Sequence, residues 1–183
     1  SDLPSPIIKI CDDKTVTITY DESGPGAVEW RVAASPTGLL TNWASAGGSP
    51  FTIIDLYGPG NPVAFGVYVI ELRKNIPVGG QCSTAANDQI TVVFSEAITG
   101  ANAGTDQDLP CSIYSTMLVG NIPFNGSGSW SQMGGPSMAT IASPTTNNSS
   151  VSFPSGINGA YVFRWTVSGG AACEPAQDDV ELR

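Results

Sequence analysis

The chain holds 183 residues, with 21 Gly and 14 Pro, no His, and a formal charge of -9 from 16 acidic against seven basic side chains. That balance repels phosphate backbones and anionic lipid, which makes nucleic acid a poor partner; His is absent and Lys scarce, which disfavours zinc and leaves paired carboxylates, as in glycosidases, as the acid–base chemistry still open. No apolar run reaches the roughly 18 residues of a membrane span, and the opening Ser1-Asp2-Leu3-Pro4 has neither the basic nor the apolar region of a signal peptide, so a mature or excised stretch is expected, exported and anchored by parts outside it.

Large apolar residues alternate with polar ones in short runs between Gly, Pro, Asn and Ser clusters, the pattern of strands joined by turns. In chain order the predicted strands are Ile7 to Ile10, Thr15 to Tyr20, Ala27 to Ala33, Phe51 to Leu56, Gly66 to Arg73 and Gln89 to Phe94, and then Ser115 to Gly120, Gly128 to Met133, Ala139 to Ala142, Ser149 to Phe153, Ala160 to Val167 and Gln177 to Leu182. Tyr161, Phe163, Trp165 and Val167 occupy every second position of one run, so that run reads as a central strand with one buried face. Between the two sets, Ser95 to Thr105 lacks alternation and is rich in small residues, as a linker would be. No window of helical periodicity is present.

The two sets are copies of one pattern. Cys11 precedes Trp30 by nineteen residues, and Cys111 precedes Trp130 by the same nineteen. Gly66-Val67-Tyr68-Val69-Ile70 answers to Gly159-Ala160-Tyr161-Val162-Phe163, each followed by a cysteine, Cys82 and Cys173, and by an acidic closing strand. An ordered recurrence of this kind marks a repeated module. The predicted architecture is all-β: two tandem immunoglobulin-like β-sandwiches, over 1–95 with an insertion near 39–61 and over 106–183, separated by a short linker at 96–105. Four cysteines allow three pairings. The simplest closes each copy on itself, Cys11 with Cys82 and Cys111 with Cys173, and a loop of that size would remove about 4 kcal/mol of unfolded-chain entropy.

The run Ala101-Asn102-Ala103-Gly104-Thr105-Asp106-Gln107, then Cys111, Gly128-Ser129-Trp130, Gly159-x-Tyr161-x-Phe163-Arg164-Trp165-Thr166-Val167, Cys173 and Asp178-Asp179-Val180 resembles the PKD-like, immunoglobulin-like repeats of giant Bacteroidetes surface adhesins that serve gliding motility and leave the cell by the type 9 secretion system. The resemblance covers residues 101 to 183. The first copy departs from it, because it lacks the opening phrase and carries Trp43 and Tyr57 in its insertion. The resemblance implies a non-catalytic segment of a long extracellular filament, held at the outer membrane through its parent protein, with neighbouring repeats as partners and polysaccharide or an abiotic surface as the thing gripped.

Two chemical sites remain to be weighed on the residues. Calcium needs several oxygen ligands, and Asp88, Glu96, Asp106 and Asp108 are the carboxylates near the junction that could supply them, although no EF-hand or Asp-x-Asp run is present. Sugar rings stack on exposed aromatics, and Trp43 and Tyr57 are the candidates for a glycan contact, while Trp30, Trp130 and Trp165 fall on core positions. The remaining acidic pairs, such as Asp12-Asp13 and Asp178-Asp179, suit turns and strand ends. Asn125-Gly126-Ser127 and Asn147-Asn148-Ser149 match the N-glycosylation pattern, which is expected to stand idle in a bacterial protein.

Overall fold

The computed structural model describes residues 6–13, 15–20, 26–38, 40–54, 65–75 and 87–183, and within them every regular element is a strand. The chain divides into two compact units, Ser1–Glu96 and Ala97–Arg183. In the first unit the strands are β1 (Ile7–Cys11), β2 (Thr15–Ile18), β3 (Ala27–Ala34), β4 (Ala44–Ser45), β5 (Phe51–Ile54), β6 (Gly66–Asn75) and β7 (Asn87–Ser95). One sheet runs β1-β7-β6-β3-β4 and the other pairs β2 with β5. The second unit holds β8 (Ser115–Val119), β9 (Ser127–Gly134), β10 (Thr140–Ile141), β11 (Asn148–Ser152), β12 (Tyr161–Ser168) and β13 (Ala176–Leu182), in sheets ordered β13-β12-β9 and β10-β11-β8.

Each unit is an immunoglobulin-like sandwich: β7, β6 and β3 face the β2–β5 pair in the first, and β13, β12 and β9 face the β8–β11 pair in the second. The equivalence is close in number as well as order: β2 and β8 begin at 15 and 115, and β3 and β9 at 27 and 127. Trp30 of β3 stands opposite Leu72 of β6, and Trp130 of β9 opposite Trp165 of β12.

The cores follow from the alternation. Along β6 the buried residues are Tyr68, Ile70 and Leu72, and along β12 they are Tyr161, Phe163, Trp165 and Val167. The facing sheets contribute Val16, Ile18, Phe51 and Ile53 in the first unit and Leu118 and Val151 in the second. Each such side chain contributes about 1.5–3 kcal/mol when taken out of water. In the second unit Trp130 and Trp165 pack ring on ring at 5.0 Å, and their indole N–H groups donate to the Asn147 carbonyl and to Asn121 Oδ1, both at 3.1 Å, so both buried indole donors are paired. Glycine makes room for this pair: a Cβ on Gly128 would overlap the Trp165 ring.

The expected linker is part of the second unit. Ala103 is buried in its core, and Ala101 packs against it. The backbone of this segment is bonded to positions far along the chain: Ala103 N donates to Asp178 Oδ2 at 2.7 Å, Asn102 N to Asn121 Oδ1 at 2.9 Å, and Thr99 N to the Asn125 carbonyl at 3.0 Å. Small residues there reflect tight docking and not freedom.

The cysteines also depart from the expected pairing. Cys11 and Cys173 are disulfide-bonded, but Cys111 is an exposed free thiol, so a Cys111–Cys173 bond does not close the second unit. The geometry forbids it. Cys111 lies beside Tyr161 and Leu182, which are in register at one end of the β12–β13 ladder, while Cys173 lies in the connection beyond Val167 and Ala176 at the other end. An eight-residue strand spans about 26 Å, against the roughly 7 Å that a disulfide allows between Cα atoms. Cys82, the expected partner of Cys11, lies outside the described residues.

Candidate binding surface

The outer face of the five-stranded sheet carries the most organised polar constellation of the first unit. Register creates it, because Glu29 and Arg31 of β3 stand opposite Arg73 and Glu71 of β6, and Glu71 stands opposite Gln89 of β7. Opposite charges directly across a ladder attract. Arg31 Nε donates to Glu71 Oε2 at 2.7 Å and Arg73 Nε to Glu29 Oε2 at 2.8 Å, each guanidinium adding a second contact through Nη2. Gln89 Nε2 donates to Glu71 Oε1 at 2.9 Å and Asn75 Nδ2 to Glu29 Oε1 at 3.1 Å. Arg73 and Asn75 hold the Glu29 carboxyl below the usual carboxylate range, and Arg31 and Gln89 do the same for Glu71.

Trp43 lies on this lattice. Its ring centroid is 4.0 Å from the Arg73 guanidinium carbon and 4.7 Å from that of Arg31. The segment that bears it is tied down on both sides: Thr41 N donates to the Val32 carbonyl and Val32 N to Thr41 Oγ1, while Ala44 pairs with Trp30 and Ala46 N donates to the Val28 carbonyl. The indole is half-buried and fixed over two cations, a cation–π arrangement of about 0.5–1 kcal/mol per contact. Tyr57, named with Trp43 from the sequence, lies outside the described residues. Sequence reasoning missed the two arginines and two glutamates, whose only signal was the alternation of Glu and Arg at 29, 31, 71 and 73.

The structure does not assemble the expected calcium ligands. Asp88 lies at the start of β7 and Glu96 directly follows its end, so about 26 Å of extended strand keeps them apart. Asp106 and Asp108 face the Arg183 guanidinium at 3.4 and 3.8 Å, and Asp106 Oδ1 accepts from Glu181 N. Among the described residues no group of three or more His, Cys, Asp or Glu is placed to hold a metal ion.

In the second unit an apolar depression of about 140 Å³ is lined by residues that include Cys111, Ile113, Tyr114, Phe153, Ile157 and Arg183. It is smaller than the ~300–1,000 Å³ of ordinary small-molecule sites. Elsewhere on that unit Arg164 grips Asp179 with two hydrogen bonds of 2.7 and 2.8 Å, which lowers the Asp179 carboxyl. Glu29, Glu71 and Asp179 are thus each held ionised by an arginine. The amides of both N-glycosylation-like motifs are occupied, Asn125 Nδ2 by the Ala97 carbonyl and Asn147 Nδ2 by the Gly120 carbonyl.

No protein-family model matches the chain, and no curated protein matches it. Among solved structures it is similar to the solution structure of the PKD domain from the KIAA 1837 protein, at 27% identity over 46% of this chain and 84% of that one, with a TM-score of 0.38. It is also similar to the human mucin-like protocadherin EC1-2, at 10% identity over 100% and 96% of the two chains with a TM-score of 0.35. A third is a chimeric titin Z1Z2-Z1Z2 tandem, at 12% identity over 97% and 93% with a TM-score of 0.34. These likenesses are distant, and the immunoglobulin-like assignment stands on strand order and register.

Proposed function

We propose that the chain is a non-catalytic repeat segment of a long extracellular adhesin filament that serves gliding motility and attachment to surfaces. The observation that supports it best is the recurrence of one sandwich skeleton, β3-β6-β7 over β2-β5 and β9-β12-β13 over β8-β11, in two successive units. A repeated module with a full core in each copy suits a structure extended by adding copies. The motif run from Ala101 to Val180 is similar to that of the gliding adhesin SprB, and it supports export by the type 9 secretion system and attachment at the outer membrane through the parent protein. Neighbouring repeats are the proposed partners along the chain, with polysaccharide or an abiotic surface as the target. Brief proteolysis of intact cells that make the parent protein tests the location: peptides from this segment should be released while cytoplasmic proteins stay protected, and a protected segment overturns the reading. In-frame deletion of both units should then reduce surface attachment.

A carbohydrate-binding role for the first unit is the second reading, favoured by Trp43. An aromatic ring immobilised over a flat sheet, ringed by Glu, Gln and Asn side chains, has the ingredients of a sugar-stacking platform. Glycan-array binding by the whole chain, lost in Trp43→Ala, is the expected result. A blank array leaves the spacer reading alone.

A further inference from the structure

The chain contains two Asn-Gly steps, Asn125–Gly126 and Asn158–Gly159, and the fold treats them in opposite ways. Asn-Gly is the dipeptide most open to attack by the backbone nitrogen on the preceding side-chain amide, because glycine puts no Cβ in the way of the five-membered ring that must close. Closure requires the asparagine side chain to swing until Cγ meets that nitrogen, so any hydrogen bond that fixes the amide opposes it.

At Asn125 everything is fixed. Its Nδ2 donates to the Ala97 carbonyl at 2.6 Å, its own N–H donates to Thr99 Oγ1 at 2.9 Å, and its carbonyl accepts from Thr99 N at 3.0 Å. Gly126 is wedged as well, since a Cβ there would lie 2.9 Å from the Ser168 carbonyl oxygen. Asn158 sits in the turn between β11 and β12, where residues 154 to 160 are all exposed, and among the described residues its side-chain amide has no hydrogen-bond partner.

We propose that Asn158 is a site of spontaneous covalent modification, deamidating in the folded protein while Asn125 does not. The Gly159 nitrogen, losing its proton to solvent base, bonds to Asn158 Cγ. The Cγ–Nδ2 bond breaks and the amide nitrogen leaves as ammonia. Water then opens the succinimide at either carbonyl, giving aspartate or, with the backbone rerouted through the side chain, isoaspartate. Both products place a carboxylate on the wall of the apolar depression that Asn158 shares with Arg183. The isoaspartate also adds a backbone atom directly before Gly159, which holds φ +144° with Pro136 Cγ 3.1 Å from its missing Cβ, at the entry to the central strand β12.

The test is incubation of the intact 183-residue chain in mildly alkaline buffer, followed by peptide mass mapping and by methyl labelling with a protein isoaspartyl methyltransferase. The expected result is a gain of one mass unit and isoaspartyl label at Asn158, at least about tenfold faster than at Asn125, with the two sites reacting at similar rates once the chain is held in denaturant. Asn158→Gln should remove the native-state signal. Equal rates at the two sites in the folded chain, or an unmodified Asn158, would overturn the proposal.

Discussion

After β3 in the first unit and β9 in the second, the two sandwiches part company. In the first unit the chain returns to the same sheet, and β4 pairs with β3. In the second, β10 crosses to the other sheet and pairs with β11. The side chains that follow each strand account for the difference. Thr41 clasps Val32 and delivers Trp43 onto Arg31 and Arg73. In the second unit Gln132 takes both the Ala139 N–H and the Ser137 carbonyl at 2.8 and 2.7 Å, turning the chain away so that Ile141 packs on the core. The outer face there bears Ser129 and Ser131 opposite Thr166 and Arg164, so the crossed Glu–Arg pairs beneath Trp43 are not repeated. One skeleton thus supports two edge designs, chosen by a handful of surface residues.

The largest expected effect concerns the cores. Trp165→Ala removes the centre of the second unit, a loss of about 3–5 kcal/mol, whereas Leu72→Ala at the equivalent place in the first should cost about 2–3 kcal/mol. Amide hydrogen exchange on the whole chain reports each unit separately, and protection in β12 should fall further than protection in β6. Next comes the space beside Trp165. Gly128 stands where the first unit has Val28, so Gly128→Val should overpack the second unit by about 1–3 kcal/mol, and an unchanged exchange pattern there would mean that the indole can move aside. Smaller still, Trp43→Ala should cost the first unit about 1 kcal/mol and loosen the β3–β4 edge alone.

Acid should sharpen the comparison further. Glu29 and Glu71 titrate below their ordinary value because arginine and amide donors hold them, as does Asp179 in the second unit. For a lowered carboxyl the stabilisation is complete above the unfolded value and drains away as pH falls through the folded one. Two such groups against one predict that exchange protection in β3 and β6 declines more than in β12 as pH drops below about 4.5. Thiol alkylation without reductant, the mildest probe, should label Cys111 and leave Cys11 and Cys173 unlabelled.

The strands were legible because alternation is local: the expected run Ala160 to Val167 and the observed Tyr161–Ser168 differ by one residue at each end. The cysteines misled because equal spacing to a tryptophan does not guarantee equal place. Cys11 ends β1, in register with Ser95, whereas Cys111 lies in a turn past the Gln107 bridge to Leu182. The docked segment at 97–105 was illegible for a related reason, since its partners Asn121, Asn125 and Asp178 are 19 to 75 residues away and its buried residue is only an alanine. Trp43 stands out because it lies in an insertion that the second copy lacks, but its seat on two guanidinium groups depends on a cross-strand register that no single stretch of sequence contains.

In the first unit the opening strand β1 runs parallel to the closing strand β7 along five residue pairs, Ile7 with Thr91 through Cys11 with Ser95. In the second, Gln107 N donates to the Glu181 carbonyl, Arg183 N to the Gln107 carbonyl and Leu109 N to the Arg183 carbonyl, so entry and exit again lie side by side. Tension that draws the two ends of a unit apart therefore slides these neighbours lengthwise past each other, and the bonds between them share the load at once instead of being peeled one after another. A chain built of such units can transmit a pull with its sandwiches intact, and the longer ladder of the first unit gives it the firmer grip.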